Sequence, residues 1–449
     1  MTALTILLCK LLRFLGGLLG RGSSLPGTVA LRLNKRILDK IKLPPVVVAV
    51  TGTNGKTSTV ELLRTAAEAA GKRFVCNAEG SNQIDGVATA LLCGCNLKGE
   101  VQADLAILES DERFCQHTFS HFAPTHIAVT NLYRDQLTRN GHNEFVRGEV
   151  EKGLPAGSVL VLNADEPMSA SLARGRERVI WYGVDKATGT EPLDTPHAYF
   201  DGAFCPLCKA RMEYAYRLEF HLGGYRCPAC GFSRPEPDHA VTAVEDGRFV
   251  LDGQFAVAPQ LSNRMFAYNI AAAYTVAVEA FGMEPGEAAA ALDGRALSSG
   301  RVRTFDIGGH KGLFMLSKHE NSMSYNVALR TLRASASEEM TVVLLVDLLS
   351  RKYIANDMSW LWDVDFELLA DERVKRAYVG GRFANDVACR LRFAGVSDGA
   401  LRVTPGIDNM MTALYADPVG DIYVMTCFTD VGKFTSRLRG GEITGGVSK

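Results

Sequence analysis

VVVAVTGTNGKTSTVELLRTAAEAAG, residues 46–71, decides the fold. VVVAV is a short β-branched run of the kind that forms a fully buried parallel strand. TGTNGKT (51–57) follows, and then an Ala/Leu-rich helix that ends at Gly71. Strand, glycine-containing turn and helix in that order make a phosphate cradle. The turn's N–H groups and the helix N-terminus point at phosphate oxygens. Thr53, Asn54, Gly55, Lys56, Thr57 and Ser58 are therefore expected to bind ATP. Lys56 would neutralise the β/γ-phosphates and the Thr57 hydroxyl would hold Mg²⁺. The full G-x-x-x-x-G-K-[ST] pattern is absent, because position 50 is Val.

Outward from this turn, similar apolar runs recur at 104–109, 126–131, 158–165 and 179–184, with helical or loop segments between them. Such alternation predicts βαβ units and a largely parallel, doubly wound α/β sheet. The pattern breaks between about 185 and 258, which reads as an insertion. A second alternation, with apolar runs at 341–348, 376–381, 401–405 and 421–430, predicts a separate C-terminal α/β domain. The expected division is a helical segment over 1–45, an ATP-binding domain over 46–300 and a C-terminal domain over 301–449. At 449 residues, two or three domains are anticipated.

Carboxylates at strand ends are the next signal. Glu109 ends the run DLAILE, where a parallel sheet faces its ligand crevice, and is expected to help hold Mg²⁺. Asp111 and Glu112 read as solvated loop acids. Asn131, Arg134 and Asp135, with Asn163 and Asp165 one strand later, could face nucleotide, metal or substrate, and the pattern leaves that open.

Cys205, Cys208, Cys227 and Cys230 form two CxxC pairs 18 residues apart, the spacing of a Cys₄ zinc site. A closed four-thiolate shell has no open position, so its role is structural. It would fold an insertion, about 201–234, that lacks a large core. The other seven cysteines read as buried thiols in a reducing cytoplasm. Lys+Arg and Asp+Glu number 49 and 50, so no basic excess supports nucleic-acid binding. Residues 1–20 are apolar but interrupted by Lys10 and Arg13. They read as an amphipathic helix, packed on the body in preference to touching a membrane.

These segments, with RMFAYNIAAAYTVA, SSGRVRTF, NDMSWLWD and GGRFANDVACRLRFAGV, resemble the Mur ligase superfamily and, within it, the MurT family of synthetase subunits. No UDP-binding domain is recognisable before the phosphate turn. The resemblance implies a cytoplasmic ligase acting at the membrane face. It would amidate the D-glutamate α-carboxylate of the lipid II stem peptide through an acyl phosphate, with ammonia from a GatD-like glutamine amidotransferase partner. It also implies that Asn269 contacts adenine and that Arg301 contacts phosphate. Asp357 would reach the partner's catalytic histidine; read by itself, Asp357 is a helix N-cap. The segment KHENSMSYN (318–326) departs from the family pattern, and Lys318 and Asn321 are left out of the expected site. A folylpolyglutamate-synthetase-like ligase that adds an amino acid is the alternative.

Overall fold

The computed structural model describes residues 1–18, 23–77, 81–136, 140–258, 264–295, 302–349 and 357–439. The chain divides into two compact units. The first comprises Met1–Tyr133, His142–Thr195 and Asp201–Leu297; the second comprises Arg134–Gly141, Pro196–Phe200 and Ser298–Lys449.

The first unit is built on a nine-stranded sheet ordered β11-β10-β9-β6-β5-β4-β1-β3-β2. Its strands are β1 Val46–Thr51, β2 Phe74–Cys76, β3 Leu105–Glu109, β4 His126–Val129, β5 Val159–Asn163, β6 Val179–Val184, β9 His239–Glu245, β10 Arg248–Leu251 and β11 Phe255–Val257. β1 pairs in parallel with β3 on one side and β4 on the other. The strand order therefore reverses around β1, which opens a crevice at the carboxyl ends of these three strands. Val48, Val50, Ile107 and Ala128 are fully buried. Helices Lys56–Ala69 and Arg264–Glu279 pack on the sheet and on each other. Val47, Ala106 and Leu108 share a cluster with Ile6, Cys9, Ala30, Leu91 and Leu92, so the N-terminal helices Thr2–Leu18 and Leu25–Leu33 belong to this core.

The insertion is shorter than the sequence suggests. Residues 239–257 form β9 to β11, which extend the main sheet, β9 running parallel to β6. What protrudes carries the antiparallel pair β7 Glu213–Glu219 and β8 Leu222–Arg226.

The second unit has six strands: β12 Val302–Ile307, β13 His310–Ser317, β14 Met340–Leu345, β15 Val374–Gly380, β16 Leu401–Thr404 and β17 Asp421–Cys427, in the order β12-β13-β17-β14-β15-β16. All pairings are parallel except β12 with β13. Alternate residues feed different cores. Val342, Leu344, Tyr423 and Met425 join one cluster; Val343, Leu345, Ile422 and Val424 join the other. Both faces are covered, which is why these strands read as unbroken apolar runs.

Candidate functional site

The phosphate turn sits at the point where the strand order reverses. Gly52 and Gly55 have φ of 126° and 85°. A Cβ at Gly55 would collide with Asn269 Oδ1, and one at Gly52 would collide with Thr130 Oγ1. Glycine is required here by conformation and by space alike. The far wall is a clip from the end of β4. Asn131 Oδ1 accepts from Asn54 N at 2.9 Å, and its Nδ2 donates to Asn54 O at 3.0 Å. Thr130 Oγ1 donates to Asn54 O at 2.7 Å, and Thr53 Oγ1 accepts from Tyr133 N at 3.1 Å. Asn131 thus shapes the turn. Ser58 is buried in the first turn of the helix that follows.

Lys56 is buried, with Nζ donating to Gly52 O, to Thr53 O at 3.3 Å and to Glu112 Oε2 at 2.8 Å. Burial opposes its charge, but the carboxylates of Glu112, Asp111 and Glu109 outweigh that and hold its pKa above the ordinary lysine value. Thr57 Oγ1 donates to Glu109 Oε2 at 3.0 Å, and Asn82 Nδ2 donates to Glu109 Oε1 at 3.3 Å. Asn77 fixes Glu109 through both of its main-chain groups. A hydroxyl and a carboxylate converging beside the helix N-terminus are the donor set a hard, oxygen-loving cation takes. The expectation of solvated acids fails at Asp111 and Glu112, which are 5% and 3% exposed. They are buried because Lys56 is beside them.

The remaining strand-end residues separate. Asn163 bonds Thr130 O and Asp165 N, and Asp165 is paired with Arg234 at 2.5 Å. Both stabilise the fold from inside. Arg134 and Asp135 belong to the second unit. Arg134 pairs with Asp363 at 2.7 Å and lies over the Tyr199 ring. Asp135 accepts from Asn321 Nδ2 at 2.9 Å and Lys318 Nζ at 3.3 Å, at the carboxyl end of β13. Lys318 and Asn321 thus form a polar cluster that the divergent local sequence hid. Beside it, His319 Nε2 meets Asp430 Oδ2 at 3.1 Å and its Nδ1 meets Tyr325 Oη at 2.9 Å. Asp430 also accepts from Asp347 N, Leu348 N and Lys433. With its groups already paired, this knot pins three strand ends together.

Asp357 is exposed and accepts from Ser359 N at 2.8 Å, at the start of the short helix Ser359–Asp363. The helix's N-cap is Met358, so this is a local turn bond one residue before the cap and the expected N-cap role is not seen. Hydrogen bonds from Ser359 hold the carboxyl below its usual range. Arg301 lies outside the described residues.

In the insertion, Cys205, Cys208, Cys227 and Cys230 bring their sulfurs within 4.8 Å of one another. Cys205 and Cys230 are 3.7 Å apart and Cys208 and Cys227 3.4 Å. A tetrahedron with bonds of about 2.3 Å has edges near these lengths. The two turns match. Lys209 N bonds Cys205 O and Gly231 N bonds Cys227 O, and both residues are left-handed, at φ of 66° and 77°. Burial raises the Cys227 thiol, but N–H groups of Cys230 and Ala229 outweigh it and bring the pKa to about 7. These donors fit a thiolate-binding metal such as zinc.

With this geometry in place, comparison with known proteins is specific. Residues 50–202 match the Mur ligase middle domain and residues 318–431 the MurT ligase C-terminal domain. The lipid II isoglutaminyl synthase (glutamine-hydrolyzing) subunit MurT of Streptococcus pneumoniae is 28% identical, over 98% of this chain and 98% of its own. The subunit of the same name from Staphylococcus aureus is 26% identical over 84% of each chain. Among solved structures, a pseudomurein peptide ligase type C from Methanothermus fervidus superposes with a TM-score of 0.66 at 19% identity, covering 89% of this chain and 79% of that one. At that identity the likeness speaks to the fold.

Proposed function

The chain is a Mur-ligase-type enzyme of the MurT family, and from that premise we propose that it amidates the D-glutamate α-carboxylate of the lipid II stem peptide. The glutamine-hydrolysing name of its relatives supports glutamine as the nitrogen source, with ammonia delivered by a GatD-like amidotransferase subunit.

The observation that carries this reading is the grouping of Lys56, Thr57 and Glu109 under a glycine turn at the strand-order reversal. In the proposed reaction the substrate carboxylate oxygen attacks the γ-phosphorus of ATP, and the bond to the β,γ-bridging oxygen breaks. ADP leaves and an acyl phosphate forms. Ammonia then attacks the acyl carbon, inorganic phosphate departs, and the amide remains. The first step brings two anions together. Lys56 and the turn amides stabilise the charge on the transferring phosphoryl group. Thr57 and Glu109 are the residues to hold Mg²⁺, which supplies further charge neutralisation at the phosphates. Asn269, whose Oδ1 lies close to Gly55, is the residue proposed to contact the adenine. Zinc in the Cys₄ cluster would serve the fold of the insertion only.

The test is reconstitution with the amidotransferase subunit, ATP, Mg²⁺, glutamine and lipid II, with mass spectrometry of the stem peptide. Conversion of one carboxylate to its amide, with one phosphate released per amide, is the expected result. Extension of the peptide by an added amino acid would instead sink the amidation reading.

A further inference from the structure

We propose that helix Thr2–Leu18 is a membrane dock that lies on the surface of an anionic phospholipid bilayer. Only Thr5, Ile6 and Cys9 of this helix are buried. At 100° per residue they lie on one side. Leu4, Leu7, Leu11, Phe14, Leu15 and Leu18 fall within an arc of about 100° on the opposite side, and all six are exposed, from 46% at Leu15 to 72% at Leu18. A helix laid on a soluble domain ordinarily turns its apolar stripe inward. Here the more apolar stripe faces out and contains no polar side chain.

Such a surface needs an occupant, and charge identifies it. The first 38 residues contain Lys10, Arg13, Arg21, Arg32, Lys35 and Arg36 and no Asp or Glu, in a chain whose net charge is −1. An apolar stripe in a segment that carries cations and no acid matches acyl chains below an anionic headgroup layer. The described helix is too short to span. Seventeen residues reach about 26 Å at 1.5 Å each, less than a hydrocarbon core of about 30 Å, and no described helix is long and apolar enough to cross a membrane.

Continuity with the reaction site supports the same occupant. Arg13 of this helix lines a cavity of about 250 Å³ together with Ser23, Cys76, Asn77, Ser81 and Thr89. Asn77 is the residue that bonds both main-chain groups of Glu109. One residue, Asn77, thus links the cavity under the dock to the main chain of Glu109, as suits a substrate tethered in a bilayer. That last point rests on the function proposed above; the apolar stripe and its charge do not.

The experiment is co-sedimentation of the full chain with vesicles, without ATP or substrate, so that it reads docking and not amidation. Phosphatidylglycerol/phosphatidylcholine vesicles should retain the chain. Raising salt to about 0.5 M should weaken binding several-fold, because screening removes the headgroup attraction. Leu7→Ser/Leu11→Ser/Phe14→Ser should weaken it by ~10-fold or more, since three inserted side chains are lost; these positions are exposed, and an unchanged melting temperature verifies the fold. Three results would overturn the proposal: a parent that stays in the supernatant, a triple variant that binds equally, or a concentration-dependent dimer that the triple variant dissolves while no vesicle binding occurs. Equal binding to pure phosphatidylcholine would overturn the assignment of an anionic surface.

Discussion

Lys56 is buried with its charge already answered by Glu112, and this makes it a poor candidate for a simple deletion experiment. Lys56→Ala removes the phosphate contact but also strands a carboxylate that is 3% exposed. Leaving one member of a buried pair unpaired typically costs about 3–5 kcal/mol. The single variant should therefore lose ATP turnover by ~10²-fold or more and also melt at a lower temperature. Lys56→Ala/Glu112→Gln should recover most of the melting temperature and none of the turnover. Phosphate release and calorimetry on the two variants separate the roles. A single variant that melts like the parent would show that the pair is not buried in solution. The sequence displayed Lys56 and Thr57 because a phosphate turn is local. It could not display Glu112, whose burial depends on a partner 56 residues away. The role of Asp135 stayed open for the same reason, its partners lying 183 and 186 residues further on.

At the scale of elements, burial on both sides made β1, β3–β5, β14, β15 and β17 legible as apolar runs. β9 to β11 were missed because β9 is half exposed, mostly intermediate positions ending in two exposed ones, and follows a proline-rich stretch. The N-terminal helix was legible as a helix, but apolar residues on both its faces left the sequence silent about which face packs. The two Cys turns were legible from spacing, although one has Lys209 where its twin has Gly231. Chelation, or Cys227→Ser, should unfold residues 201–234 while the main sheet survives, because a structural zinc supplies the folding energy of a small module. Hydrogen exchange reads this directly, and protection unchanged by chelation would refute a structural metal. The His319–Asp430 knot makes a prediction of opposite kind. Burial opposes the His319 charge, but the bonds to Asp430 and Cys427 outweigh it and raise the pKa to about 9. His319 thus contributes stability that is complete below about pH 6.5 and is lost as pH rises through about 9. Asp430, lowered to about 2 by His319 and Lys433 against its burial, acts in the other direction. Its share is lost only as pH falls through about 2. The second unit should melt lower at alkaline than at mildly acidic pH, and His319→Gln should flatten that slope. An unchanged slope would mean that the imidazole is neutral.

For the molecule as a whole, the amidation proposed above requires ammonia from a partner subunit. Asp357 is where the proposed partnership can be tested without disturbing either unit. Its carboxylate is exposed and accepts from Ser359 N. An Asn side-chain oxygen accepts that same bond, so Asp357→Asn should leave the melting temperature and ATP binding unchanged. If the carboxylate also orients a histidine on the amidotransferase, the amide cannot stabilise the imidazolium that forms during glutamine hydrolysis. Glutamine-dependent amidation should then fall by ~10²-fold or more, by analogy with the loss of an orienting aspartate in a catalytic triad. Amidation from free ammonium, which bypasses hydrolysis, should persist. The two nitrogen sources are assayed side by side with the same ATP and lipid II. Equal loss with both would move Asp357 into the synthetase reaction, and no loss with either would reduce it to the local turn bond that it already makes.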